Sequence, residues 1–262
     1  MQSIFELERV AAAHWRGTEE EWLGDWLLRA ADGFTGRANS ALALGEPGGS
    51  LDAGLDAAAD WYRSRGLPPM IAIPLSLDSS GPGHGLDAAL AARNWSIRPG
   101  AAFVMVADLP LADVPDIPGL YEVRVNSEPD KGWLARYHYR GQDSLPPAAM
   151  RVLTSCEDQA FVSLRAGGDV LAIARLSVAA GWAGITAVEV HPDHRRRGLG
   201  TAVTAAACQV AGQRAVSTVF LQVAEDNAAA RALYERIGFR YAHRYQYRVA
   251  PTPSGNERTK PA

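Results

Sequence analysis

The stretch Val188-Glu-Val-His-Pro-Asp-His-Arg-Arg-Arg-Gly-Leu-Gly-Thr201 constrains this chain more than any other. A strand-like run over 185–190 ends at a proline turn, three arginines follow, and Gly-x-Gly opens an alanine-rich helical segment. Glycine at 198 and 200 lets the main chain approach a ligand with no Cβ in the way. The first-turn amides of such a helix lack intrahelical acceptors and sit at the positive end of its dipole. A strand feeding a helix tip of this kind makes an anion cradle. Arg195, Arg196 and Arg197 add positive charge on the approach, although a basic run also serves simply as a solvated surface. The dinucleotide fingerprint fails because position 203 is Val, and the triphosphate loop fails because no Gly-Lys-Ser/Thr follows.

The segment Leu221-Gln-Val-Ala-Glu-Asp-Asn-Ala-Ala-Ala-Arg-Ala-Leu-Tyr-Glu-Arg-Ile-Gly-Phe239 supplies a second half to the pattern. Asp226 or Asn227 caps a helix over 228–237, alanines propagate it, and Gly238 stands where a left-handed C-terminal cap is wanted. Helix grammar does not demand Tyr234. It lies seven residues, two turns, after Asn227, so both side chains share a face and address one ligand.

Arg195-x-x-Gly198-x-Gly200, followed by Asn227-x-x-Ala230-x-x-Leu233-Tyr234-x-x-x-Gly238-Phe239, resembles the two central motifs of the GCN5-related N-acetyltransferases, the GNAT superfamily. The resemblance covers residues 120–250 and implies an α/β fold, a mixed α+β sheet, in an acetyl-CoA-dependent N-acetyltransferase. It implies that the backbones of Val188 and Val190 pair with the pantetheine arm as another strand would. Arg196, Arg197, Gly198, Leu199, Gly200 and Thr201 then hold the pyrophosphate, with Arg195 also among the cofactor-binding residues. Asn227 contacts the cofactor near its thiol end, and Tyr234 is the general acid for the departing thiolate. A phenol of pKa about 10 can share its proton as charge builds on a thiol of pKa about 8.5. Amides near Val190 are the expected donors to the thioester carbonyl oxygen.

The residues do not single out a general base. Some relatives that acetylate protein N-termini carry a glutamate where this chain has Gln222, which cannot accept a proton in that role. Glu189 is the nearest carboxylate in sequence, and His138 of Tyr137-His-Tyr-Arg140 is another candidate; a structural carboxylate and a surface histidine on an aromatic helix are the plainer readings. His191 and His194 have the spacing of a metal pair without a third ligand, so no metal is assigned. The acceptor is an amine of unspecified class, and a cofactor-binding sensor without turnover stays open as the alternative function.

At 262 residues the chain exceeds the usual single-domain size of about 100–150. Pro110, Pro115 and Pro118 mark a linker at 108–119 between an N-terminal domain, 1–107, and the catalytic domain, 120–250; a frayed tail is expected over 251–262. The formal charge changes sign there, from -8 over residues 1–120 to +5 over 121–262. The overall -3 argues against nucleic acid or an anionic membrane as partner. No apolar stretch reaches the roughly 18–20 residues that span a bilayer, and the acidic N-terminus is unlike a signal peptide, so the expectation is a cytoplasmic protein. Cys156 and Cys208 are expected to be buried thiols.

In the catalytic domain, strands are expected over 121–125, 160–164, 170–178, 185–190, 218–223 and 241–248, with helices over 129–139, 146–153, the segment from Gly198, and 228–237. In the N-terminal half, Trp15, Trp22 and Trp26 read as a buried helical stripe. Ala57-Ala58-x-x-x-Tyr62-x-x-x-Gly66-Leu67 repeats the spacing around Tyr234. Two readings follow: a duplicated, degenerate GNAT-like domain, similar in plan to mycothiol synthase, or an ordinary amphipathic helix stopped by glycine. Residues 1–107 carry no copy of the arginine-glycine cradle. The polar loop 33–40 reads as a substrate-side loop or a solvated connection.

Overall fold

Ser3 and Glu6 exchange hydrogen bonds in a capping box and so start helix α1, Ile4–His14. The computed structural model describes residues 3–111, 119–138 and 145–251. The first half continues with strands β1 (Glu19–Leu23), β2 (Trp26–Ala30) and β3 (Ala41–Ala43), then α2 (Leu51–Arg63), β4 (Met70–Leu75), α3 (His84–Ala92) and β5 (Ser96–Asp108). The second half holds β6 (Glu122–Asn126), α4 (Lys131–Arg136), α5 (Ala148–Leu153), β7 (Asp158–Ala166), β8 (Asp169–Ala179) and β9 (Trp182–Val190). It ends with α6 (Leu199–Gln213), β10 (Thr218–Ala224), α7 (Ala228–Arg236) and β11 (Arg240–Val249). Each element expected between residues 120 and 250 is present, in the expected order. Pro115 and Pro118, Tyr139 and Arg140, and positions 252–262 lie outside the described residues.

Among the described residues eleven strands form one sheet, ordered β1-β2-β3-β4-β11-β5-β10-β9-β8-β7-β6. Two strand pairs are parallel, β3 with β4 and β9 with β10, and each is bridged by a helix, α2 and α6 respectively. The remaining pairs are antiparallel. The connectivity β3-α2-β4-α3-β5 is thus repeated by β9-α6-β10-α7-β11. The halves exchange their last strands: β5 pairs with β10, β11 pairs with β4, and β5 and β11 lie side by side. Segments 1–107 and 120–250 therefore share one hydrogen-bonded sheet. In this topology α2 occupies the place of α6, not that of α7, so Tyr62 is not the counterpart of Tyr234. The Tyr62 hydroxyl instead donates to the Arg29 carbonyl and accepts from its amide, within the core.

The tryptophan stripe is corrected by the structure. Trp15 follows the last turn of α1, whereas Trp22 and Trp26 lie on the hairpin β1-β2, with Trp22 52% exposed and Trp26 wholly buried. Gly24 turns this hairpin at φ +57°, and a Cβ there would strike the backbone of Pro47 and Gly48. That turn breaks the helical period the spacing suggested.

Helices α6 and α7 cover one face of the second half, on a core that includes Val203, Leu221 and Ile237; α2 and α3 cover the corresponding face of the first, on Tyr62, Ile73 and Leu90. The opposite face carries α1, packed on β4, β8 and β9, and α4 and α5, packed with Trp15 and Phe34. Cys156 and Cys208 are buried free thiols, and burial pushes the Cys208 thiol up to about 12.

Two buried polar groups tie α1 to the second half. His14 is held between Ser177 Oγ and the Ala179 carbonyl, edge-on to Phe220 and over Gly184, where a Cβ would lie 2.7 Å from its Nδ1. Arg175, also fully buried, donates to the carbonyls of Leu153 and His14 and to the side chains of Gln159, Ser177 and Thr186. Burial depresses the His14 imidazole to about 4 from an ordinary 6.5. The unfolded chain therefore takes up the proton first, so this stability is complete above pH ~6.5 and is lost as pH falls toward 4. Urea unfolding across that window should show His14→Gln losing a pH-dependent contribution on the order of 2–3 kcal/mol. A peptide of residues 119–251, lacking β5, leaves β10 and β11 without their shared neighbour and should show no cooperative thermal transition by circular dichroism.

Candidate active site

Strands β9 and β10 pair only through Val219↔Ala183, Phe220↔Gly184 and Leu221↔Ile185. Beyond these pairs they part. Ala187 adopts φ +53°, and the β8-β9 register slips between Arg175↔Thr186 and Ile173↔Glu189, which is a bulge that bends the end of β9. Each strand stays paired on its far side, β9 to β8 as far as Val190 and β10 to β5 as far as Ala224. The opening thus lies between Thr186–190 and Gln222–224. His191 N donates to the Leu171 carbonyl on the β8 side, so strand alternation turns the amide of Val190, and with it that of Val188, into the opening.

The helix tip above this opening is bare. Gly198, at φ +78°, is the N-cap of α6 and brings no side-chain cap; the first intrahelical bond is Ala202 N to Gly198 O. The amides of Leu199, Gly200 and Thr201 therefore remain as free donors at the head of a 15-residue helix. A Cβ on Gly198 would meet no protein atom within 4 Å, while a Cβ on Gly200 would sit 2.9 Å from Leu233 of α7. Arg195, Arg196 and Arg197 are exposed around the tip, and Arg196 takes φ +62°. Leu199 and Thr201 face inward, so their main-chain amides are what they offer here. The first half shows the contrast: Ser50 Oγ caps α2 by accepting from Ala53 N, so that tip is already satisfied.

The groups singled out from sequence divide between the two faces. Tyr234 lies on the α6/α7 face in the cluster against which Val188 and Val190 pack, its ring 5.8 Å from Phe239. Burial pushes its phenol up to about 12, and among the described residues nothing hydrogen-bonds its hydroxyl. Asn227 caps α7, its side-chain oxygen accepting from Ala230 N at 3.1 Å, which leaves its amide NH2 outward. By alternation Glu189 points to the opposite face. There the two base candidates meet across 51 positions: His138 N donates to Glu189 Oε1 at 3.0 Å and His138 Nδ1 lies 3.4 Å from Oε2. His138 follows the end of α4 instead of lying on the helix. Burial raises the Glu189 carboxyl despite these bonds.

His191 and His194 pack edge to face at 5.1 Å, and His191 Nδ1 accepts from Asp193 N; among the described residues no three His, Cys, Asp or Glu groups gather as a metal site. Among the described residues no helix is long and apolar enough to cross a membrane. Sequence reasoning did not find Arg37, whose Nη1 donates to Gln222 Oε1 at the mouth of the opening. The loop 33–40 that carries it is not a solvated connection, for Phe34, Ala38, Asn39 and Ser40 are buried. Nor did it find Arg175, although a lone arginine in the apolar run 170–178 was a visible signal.

A mixed sheet parted at one parallel pair, with a bare helix tip above the gap, is the fold of the GNAT superfamily, and this chain is an acetyl-CoA-dependent N-acetyltransferase of that class. Within it, the chain belongs to the family described as "Probable histone acetyltransferase Rv0428c C-terminal", whose model matches residues 2–248. It is 30% identical over 254 residues to the probable histone acetyltransferase Rv0428c of Mycobacterium tuberculosis, covering 94% of this chain and 73% of that one. It is 28% identical over 264 residues to the uncharacterized N-acetyltransferase YobR of Bacillus subtilis, covering 95% of this chain and 99% of YobR. The solved structure of a GCN5-related N-acetyltransferase from Kribbella flavida shares the fold, with a TM-score of 0.68 and 19% identity over 90% of each chain.

Replacing Gly198 or Gly200 by Val fills the cradle or drives α6 from α7. Calorimetry should show acetyl-CoA affinity falling at least tenfold in each variant, and unchanged affinity would remove the cradle assignment.

Proposed function

We propose that acetyl transfer takes place at the parting of β9 and β10 by direct attack of an amine in a ternary complex, with Glu189 as base and Tyr234 as acid. The observation that carries this reading is the division of the opening by strand alternation: a phenol on the cofactor face, a carboxylate on the other. In it the Leu199, Gly200 and Thr201 amides, helped by Arg195 to Arg197, hold the pyrophosphate, and the Val188 and Val190 main chain holds the pantetheine. Asn227 offers its free NH2 near the sulfur. Bound acetyl-CoA supplies the acetyl group as a thioester with a thiolate leaving group.

The protein's own groups then manage protons. Glu189 takes one proton from the amine nitrogen as the N–C bond forms, and His138 orients its carboxylate. Tyr234 gives one proton to sulfur as the C–S bond breaks, and the Val190 amide donates to the carbonyl oxygen as charge grows on it. Water restores both groups, so one amide and one thiol leave for each amine and thioester that enter. The raised phenol keeps Tyr234 protonated at every ordinary pH, so it holds the proton that the departing sulfur takes up. The raised carboxyl favours Glu189 as base, because a more basic carboxylate is the better acceptor.

The repeated connectivity supports reading the first half as a duplicated copy that has lost the cradle, with Ser50 occupying the place a ligand anion takes on α6.

Tyr234→Phe should leave the acetyl-CoA dissociation constant within a few-fold while lowering kcat by about tenfold or more. Equal turnover would take the acid role from Tyr234. In the wild type kcat/KM should rise with pH through a midpoint above the ordinary carboxylate value, as Glu189 ionises. Glu189→Gln should lose that limb and about tenfold to a thousandfold in rate; a variant that keeps the limb places the base elsewhere. Tight acetyl-CoA binding with no thiol release from any amine would instead describe a sensor.

A further inference from the structure

We infer that the acceptor is a small amine bearing an oxyanion, a carboxylate or a phosphate, which Arg37 and Arg98 receive in the cavity beside the opening. This rests on the acetyl-transfer reading and names the substrate class for it. The cavity, of about 530 Å³, is lined by Gly36, Arg37, Arg98, Gly100, Tyr245 and Tyr247 among others. Its size falls within the roughly 300–1,000 Å³ typical of small-molecule sites. Arg37 joins it to the reaction centre, because its guanidinium also bonds Gln222, the first β10 residue past the last pair with β9. An amine at the parting of the strands therefore has the rest of its molecule in this cavity.

The charge there is unbalanced. Other arginines of the same sheet meet carboxylates: Arg165 meets Asp130, Arg244 meets Glu225, and Arg248 meets Asp87. Among the described residues Arg37 and Arg98 meet none. Arg37 lies over the Trp15 ring at 4.7 Å and Arg98 over the Tyr247 ring at 5.4 Å. Arg29 and Arg175, buried nearby, bond only neutral oxygens. Burial raises the phenols of Tyr245 and Tyr247, so neither supplies a negative charge. Glu8, which lines a separate small pocket with Arg37, Gln222, Tyr245 and Tyr247, is bonded to His243 at 2.7 Å. Gly36 completes the arrangement, since a Cβ there would stand 2.9 Å from Arg98 Nη1 and 3.3 Å from the Tyr247 hydroxyl oxygen. Its bareness makes room for the second guanidinium. Two half-buried guanidinium forks without acids, facing one cavity, are a receptor for a planar carboxylate or a phosphate.

The test compares matched amines at saturating acetyl-CoA: amino acids and dipeptides against their amides, and O-phosphoethanolamine and glucosamine 6-phosphate against ethanolamine and glucosamine. Thiol release gives kcat/KM, and calorimetry with desulfo-CoA present gives binding without turnover. The expected result is a preference of at least tenfold for the anionic member in one arm, which also tells carboxylate from phosphate. Arg98→Gln and Arg37→Gln should each lower that preference at least tenfold, chiefly through KM. Should Arg37→Gln fail to fold, Arg98→Gln carries the test. Equal use of both members throughout, or a preference untouched by Arg98→Gln, overturns the anion site and leaves acetyl transfer standing. Anion-selective binding with no thiol release keeps the site and overturns the transfer reading.

Discussion

The parallel pairing of β9 and β10 lasts for three residue pairs, and the proposed chemistry depends on its stopping there. Main-chain amides and carbonyls must be paired or wetted, so a sheet that opens in its middle exposes two rows of unsatisfied groups. The gap is enforced from outside. β9 remains paired with β8 and β10 with β5, and the bulge at Ala187 turns the end of β9 away. A ligand with an amide-bearing linear arm can add to the exposed β9 edge as a strand would, which gives affinity from backbone alone and places the arm's end at the point of parting. The fold holds this defect at the cost of an unusually wide sheet, in which each half lends a strand to the other.

Alternation along one strand then assigns chemistry to sides. Val188 and Val190 go to the α6/α7 core, where Tyr234 is removed from water, and Glu189 goes to the face covered by α1, α4 and α5. The first half builds much of that second face. α1 brings His14 and Trp15, the 33–40 loop brings Arg37 to Gln222, and β5 brings Arg98. Arg175 fastens the face by bonding the ends of α1 and α5 and the β9 residue Thr186, just before the bulge.

What could be read from sequence was what is local. Gly198, Asn227 and Gly238 act through their own backbone torsions and adjacent amides, so the uncapped helix tip, the caps and the element order from 120 to 250 stood in the letters. What could not be read depends on distant pairings. His138 reaches Glu189 across 51 positions and Arg37 reaches Gln222 across 185, and neither pair leaves a periodic trace. Trp15, Trp22 and Trp26 misled because a seven-and-four spacing is helical only if nothing interrupts it, and here α1 ends at His14, β1 starts at Glu19 and Gly24 turns the chain between Trp22 and Trp26. Strand exchange was invisible for the same reason: β5 and β11 look like ordinary strands until their neighbours are known.

The two βαβ crossings show how little separates a bare helix tip from a capped one. Both place a helix start above a parallel strand pair. In α2 the serine at position 50 turns its own oxygen onto the Ala53 amide, and Pro47 packs against Gly54, with 2.4 Å between its Cβ and an added Gly54 Cβ. That tip is satisfied and closed. In α6 a glycine occupies the capping position, offers no oxygen, and leaves space where its side chain would be. One hydroxyl at an N-cap thus decides whether the positive end of a helix is spent on its own chain or kept for a ligand's anion. A half whose tip is spent is free to be shaped for other work, and the loop and strands of the first half line the side from which the acceptor comes in the proposed reaction.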